Sequence, residues 1–248
     1  MATVPSGWNQ PRPGRVTTLP HRGTGRLTTT RLIFAYAIAF AIFDLVPIPL
    51  SDVDTFKGLS VGDLVDLPLV LLPIALLLRM AQDANLLRTT FLRVVFFLAL
   101  FLFAQGHAIH LAANAIAHSL VESDAAWEPA YFLDEHLGHY ELHIAWLVLA
   151  TLFVWFAQRS QVAGPSEPGL LTFTTIGYGA LLAASAIEGQ TVPLVLPASI
   201  AIAGFGVWMA ASSQRRAEYR TFFSTAYAVC FVVLAVYGIL NRGWPEIL

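Results

Sequence analysis

Residues 105–146 read QGHAIHLAANAIAHSLVESDAAWEPAYFLDEHLGHYELHIAW and carry six of the chain's seven histidines. One long apolar run enters this segment and another leaves it, with the acidic turn VESDAAWEP between them. About 20 helical residues cross the hydrocarbon core of a bilayer, and each run is long enough to do so. The segment therefore reads as the mouth of a transmembrane helical hairpin. It places most of its imidazoles where lipid, not water, would surround them.

The rest of the chain agrees with a membrane setting. Hydrophobic residues make up 56% and charged residues 12%, against about 25% charged in soluble domains. Mean hydropathy is +0.65. The formal net charge of -2 gives no reason to expect nucleic acid. The single cysteine, Cys230, lies in an apolar run and cannot form an internal disulfide.

Seven apolar runs of spanning length occur, at about 32–50, 61–78, 91–119, 131–157, 170–187, 192–211 and 222–240. The second is short and interrupted by Pro68 and Pro73. The expected architecture is all-α: a polytopic integral membrane protein, a seven-transmembrane-helix bundle in the cell membrane. Residues 1–30, rich in Pro, Gly, Thr and Arg, are expected to form a disordered basic cytoplasmic tail, and 31–248 the transmembrane domain. The first apolar run is long enough to span, so it is read as a retained helix and not a cleaved signal.

Orientation follows the bias of basic residues toward the cytoplasm. With the N-terminus inside, Arg12, Arg15, Arg22, Arg26, Arg31, Arg79, Arg88, Arg93, Arg159, Arg215, Arg216 and Arg220 lie on the cytoplasmic side. Lys57 and Arg242 are left outside. Twelve against two predicts a cytoplasmic N-terminus and an external C-terminus. The histidines then gather toward the outer face, with Trp127 and Trp244 in the outer aromatic belt and Trp155 and Trp208 in the inner one.

On the third span His107, His110, Asn114 and His118 are spaced by three, four and four residues. At about 100° per residue they share one helical face. On the fourth span His136, His139 and His143 repeat the pattern. Antiparallel neighbours keep a nearly constant sum of residue numbers at equal depth. His107 then pairs with His143, His110 with His139 and Asn114 with His136. Asp44, Asp63, Asp66 and Glu188 fall at the same end of their spans, and Glu135 lies one turn before His139. By the same helical wheel, Asp134 and Glu141 point away from the histidines, Asp134 toward solvent.

Ionisable groups inside a membrane are costly and mark functional sites by default. A histidine stripe also serves as a hydrogen-bonded polar core, or as a proton relay or pH sensor. Five or six imidazoles in register, with carboxylates at the same depth, favour a metal site. The candidate ligands are His107, His110, His136, His139, His143 and His118. Asp44, Asp66 and Glu135 are the candidate catalytic carboxylates, as general base or further ligand. Imidazole with carboxylate suits a divalent transition metal such as zinc or iron, and the surplus of donors allows one or two ions. A zinc hydrolase uses three protein ligands and an open water position. Two irons would instead serve an oxidase or hydroxylase. The expected partners are the lipid bilayer and a lipidic or small hydrophobic substrate reaching the site from the outer leaflet. The non-enzymatic alternatives are a divalent-cation transporter or sensor and, less well supported, haem ligation.

Comparison of types narrows the field. The span count resembles that of retinal proteins, but the one lysine, Lys57, is in a loop, so no Schiff-base site is present. It also resembles the alkaline ceramidase and adiponectin-receptor superfamily, yet the last span, FFSTAYAVCFVVLAVYGIL, has no histidine. HLAAN resembles the HxxxN element of intramembrane CAAX-type proteases, without their paired-glutamate motif. Of the HxxxH and HxxHH boxes of membrane desaturases, the spacing HxxxH occurs once, at His139 and His143, and HxxHH is absent. These likenesses are of type and identify no family.

Overall fold

The computed structural model describes residues 27–51, 53–56, 59–120, 124–158, 167–212 and 218–244. Most of the expected N-terminal tail lies outside the described residues. Helix α1 runs Thr29–Leu45 and is capped by the Thr28 side chain, which accepts from the Arg31 N–H at 3.3 Å. After it come a two-stranded antiparallel ribbon, β1 (Asp54–Phe56) and β2 (Leu59–Ser60), and then α2 (Val61–Leu69). The start of α2 is a reciprocal cap: Ser60 Oγ accepts from the Asp63 N–H while Asp63 Oδ2 accepts from Ser60 N–H and Oγ.

The proline-interrupted second span behaves as the residues dictate. Helix α2 ends at Leu69, and α3 (Leu71–Asp83) continues after a single turn residue, Val70, whose backbone dihedrals stay right-handed helical. Pro73 falls in the first turn of α3, where its missing N–H leaves no bond unmade. The remaining helices are α4 (Thr90–His118), α5 (Trp127–Phe132), α6 (His139–Phe156), α7 (Pro168–Glu188), α8 (Val192–Ser212) and α9 (Glu218–Leu240). A π-helical turn, Leu133–Gly138, joins α5 to α6.

Among the described residues, seven helical segments are long and apolar enough to cross a membrane. Their apolar exteriors fit a multi-pass membrane protein: Phe91, Phe97, Phe101, Phe173, Val207 and Ile239 are all at least half exposed. The centre is aromatic. Tyr36, Phe40, Phe153, Tyr178, Phe222 and Phe223 are buried and pack ring against ring, with centroid distances of 4.9–6.4 Å. Helix α4 packs chiefly on α6, α9 on α7 and α8, and α1 on α3 and α7.

At the end opposite the histidines, polar contacts tie the helix ends together. Asp83 Oδ2 accepts from Tyr219 Oη at 2.8 Å and from Thr29 Oγ1 at 3.1 Å. The guanidinium groups of Arg88 and Arg220 donate to Phe156 O and Val154 O, each at 2.9 and 2.8 Å respectively. Both arginines therefore cap the C-terminal carbonyls of α6, where a helix dipole favours cations.

Candidate metal centre

Two glycines set the geometry of the histidine end. A Cβ on Gly106 would stand 2.8 Å from Gly138 O and from Leu142 N, and a Cβ on Gly138 would stand 2.9 Å from His110 N. The α4 and π-turn backbones therefore touch, as small residues permit in membrane helix pairs. Each glycine immediately precedes a histidine, His107 or His139. The contact draws the imidazoles of His110 and His139 to 4.6 Å between ring centres. That rung of the expected register is present.

The π-turn corrects the helical-wheel placement of Asp134. In this turn the His139 N–H bonds to Asp134 O, five residues back, so more residues fit in a turn and the side-chain phase shifts. Asp134 is 8% exposed and accepts from His110 Nδ1 at 2.5 Å. It points toward the histidines, not toward solvent. Its neighbour Glu135 takes the other imidazole, with Oε2 3.3 Å from His139 Nδ1. Two consecutive carboxylates thus each orient one histidine, the arrangement that fixes ring pose and raises ligand basicity at metal sites. Glu141 does lie away from the cavity, where its Oε1 is 3.4 Å from Gln105 Nε2.

These groups line a cavity of about 330 Å³. Its walls bring together Asp44 of α1, Asp63 and Asp66 of α2, His107, His110 and Asn114 of α4, Asp134 and Glu135 of the π-turn, His139 of α6 and Glu188 of α7. The carboxylates expected at one depth therefore converge in space. No lysine or arginine lines the cavity among the described residues. Carboxylates gathered around one partly buried cavity repel one another, and a cation relieves that repulsion. Asp63 is already satisfied by Ser60 and by Asn114 Nδ2 at 3.2 Å, so it braces the wall.

One donor atom from each of His110, Asp134 and His139 lies within 4.8 Å of the other two. Donors about 2.0–2.1 Å from a tetrahedral zinc stand roughly 3.4 Å apart, so side-chain shifts of about 1 Å close the set. The two nitrogens and one carboxylate fit a first-row transition ion better than calcium or magnesium, which favour all-oxygen sites.

The other predicted residues divide. His107, 3% exposed, lines the cavity with Nε2 3.8 Å from Asp66 Oδ2. His143 is buried one turn beyond His139, where its Nδ1–H donates to His139 O at 2.9 Å and Nε2 has no hydrogen-bond partner among the described residues. His136 stacks on Phe132 at 4.7 Å and is outside the cavity wall, so its expected rung with Asn114 does not form. The same π-turn phase shift accounts for this: Asn114 bonds Asp63 instead. The side chain of His118 lies outside the described residues.

Reading the residues alone missed Gly106, Gly138 and Gly189. A Cβ on Gly189 would stand 2.7 Å from His139 Cγ, so this glycine at the end of α7 admits the imidazole. The repeated Gly-His dipeptide, at 106–107 and 138–139, was the available signal. Trp146 was missed as well; it lines the cavity, and its Nε1 has no hydrogen-bond partner among the described residues.

No protein-family model, curated protein or solved structure matches the chain.

Proposed function

We propose that the chain is a membrane-embedded, metal-dependent hydrolase of the zinc type, acting on a lipidic or small hydrophobic ester or amide. The carrying observation is the His110–Asp134–His139 donor set, opening on a cavity of about 330 Å³ walled by further carboxylates. Two histidines and one carboxylate leave an open position on a tetrahedral ion. A divalent ion held there supplies Lewis acidity, polarising a substrate carbonyl and acidifying water. Glu135 orients His139, and Asp44, which also lines the cavity, serves as the proton acceptor. With the N-terminus cytoplasmic, the cavity faces the outer leaflet of the cell membrane.

Two observations favour this reading over its rivals. Di-iron helical bundles pair Glu-x-x-His motifs, and no acid stands three residues before any of the six clustered histidines. A cation transporter needs a polar exit, but aromatic rings back the cavity. Phe43 and Trp146 form part of its wall, and Phe103 and Phe40 pack on them at 5.8 and 4.9 Å. This stacking supports a blind site over a conduit.

The test is elemental analysis of detergent-purified protein together with turnover of fluorogenic lipid esters and amides. Bound zinc, with chelator-sensitive hydrolysis lost in His110→Ala, is the expected result. Metal flux into proteoliposomes without hydrolysis would replace this reading with transport.

A further inference from the structure

We propose that the same cavity holds a second divalent ion, between His107 and Asp66. This rests on the metal-centre reading above and extends it from one ion to a pair. His107 and Asp66 come from different helices, α4 and α2, and both line the cavity. They are 3% and 7% exposed. His107 Nε2 and Asp66 Oδ2 face each other at 3.8 Å, beyond hydrogen-bond range. Among the described residues His107 Nε2 and Asp66 Oδ1 have no hydrogen-bond partner.

A buried polar atom left unpaired costs about 1–3 kcal/mol, more when charged. Here the unpaired His107 Nε2 faces one oxygen of Asp66 while the other oxygen of the same carboxylate is itself unpaired. A direct hydrogen bond would need the groups to close by about 0.8 Å, against the usual range of about 2.7–3.2 Å. The separation instead suits two donors to one ion, which stand roughly 3.4 Å apart at tetrahedral zinc. Asp63 does not compete for the role, because Ser60 and Asn114 already occupy its oxygens.

The second site adjoins the first. The rings of His107 and His110 are one helical turn apart, 6.4 Å between centres. Each can hold its own member of a pair at about 3.5–4 Å, the spacing of two-metal hydrolytic sites. Asp66, with one oxygen toward His107 and the other unpartnered, is placed to bridge them. The ring of Phe43 packs on His107 at 5.1 Å and fixes its pose.

The experiment loads chelator-stripped, full-length protein in detergent with zinc, counts bound metal after desalting, and repeats the loading with manganese(II) for paramagnetic resonance. Wild type should retain two equivalents, with an exchange-coupled manganese spectrum. Asp66→Asn and His107→Gln should each retain one and give an uncoupled spectrum. The two variants are near in size to the native residues, and either one alone decides the matter if the other does not fold. One equivalent in wild type overturns the pair but leaves the His110 centre standing. None in wild type overturns both. Two equivalents in wild type that persist in Asp66→Asn and His107→Gln place the second ion elsewhere and overturn this site.

Discussion

His110 and Asp134, 24 residues apart, meet through a 2.5 Å contact from Nδ1 to Oδ1 that bridges α4 and the π-turn before α6. A charge-assisted bond of this kind is about twice as strong as a neutral one. It keeps two of the three donors of the set adjacent, and an ion held by His110, Asp134 and His139 would take its place. The neighbouring Glu135–His139 contact repeats the device.

Asp134→Asn should therefore lower zinc affinity by more than the roughly 10–100-fold that loss of a ligand's hydrogen-bond partner costs, because it takes one carboxylate from the three-donor set. Glu141→Gln, seven residues on, should leave affinity unchanged because Glu141 lies off the cavity wall. Competition titration against a chromophoric chelator reads both. Equal effects of the two variants would contradict the placement of Asp134.

Gly138→Ala should destabilise the protein by roughly 1–3 kcal/mol, the cost of forcing a methyl group into a packed contact. The new Cβ would sit 2.9 Å from His110 N, so the α4–π-turn backbones must part. Thermal unfolding in detergent measures the loss, and metal content should fall with it.

Gly189→Ala tests the imidazole alone. Its Cβ would meet the His139 ring at 2.7 Å while the rest of α7 is undisturbed. The expected outcome is a helix content like wild type by circular dichroism, with zinc affinity reduced at least several-fold.

Tyr219→Phe supplies the opposite dissociation. It deletes the 2.8 Å bond to Asp83 at the far end of the bundle, leaving a carboxylate with one donor fewer. A loss of about 1–3 kcal/mol in stability is expected, with metal stoichiometry unchanged.

Zinc should also stabilise the folded state. At a free concentration 100-fold above Kd, one bound ion contributes about 2.7 kcal/mol. Unfolding followed with and without chelator should show this difference in wild type and lose it in His110→Ala.

The span count, the hairpin at 105–146 and the His110–His139 rung were legible from residue order, because hydrophobic length and 3.6-residue periodicity are properties of a single helix. The same periodicity misplaced Asp134 and His136. A π-turn has no reliable compositional mark, yet one added residue in a turn rotates every side chain around it. The close approach of α4 to the π-turn depends on glycine facing glycine, which residue order hints at only through the paired Gly-His steps. The acids of α1, α2 and α7 reach one cavity through the packing of helices far apart in the chain. Sequence by itself therefore determined that imidazoles and carboxylates would be buried at one end of a helical bundle. Tertiary structure decided which of them face each other, because that choice rests on backbone phase and on contacts between helices, neither of which a single helix encodes.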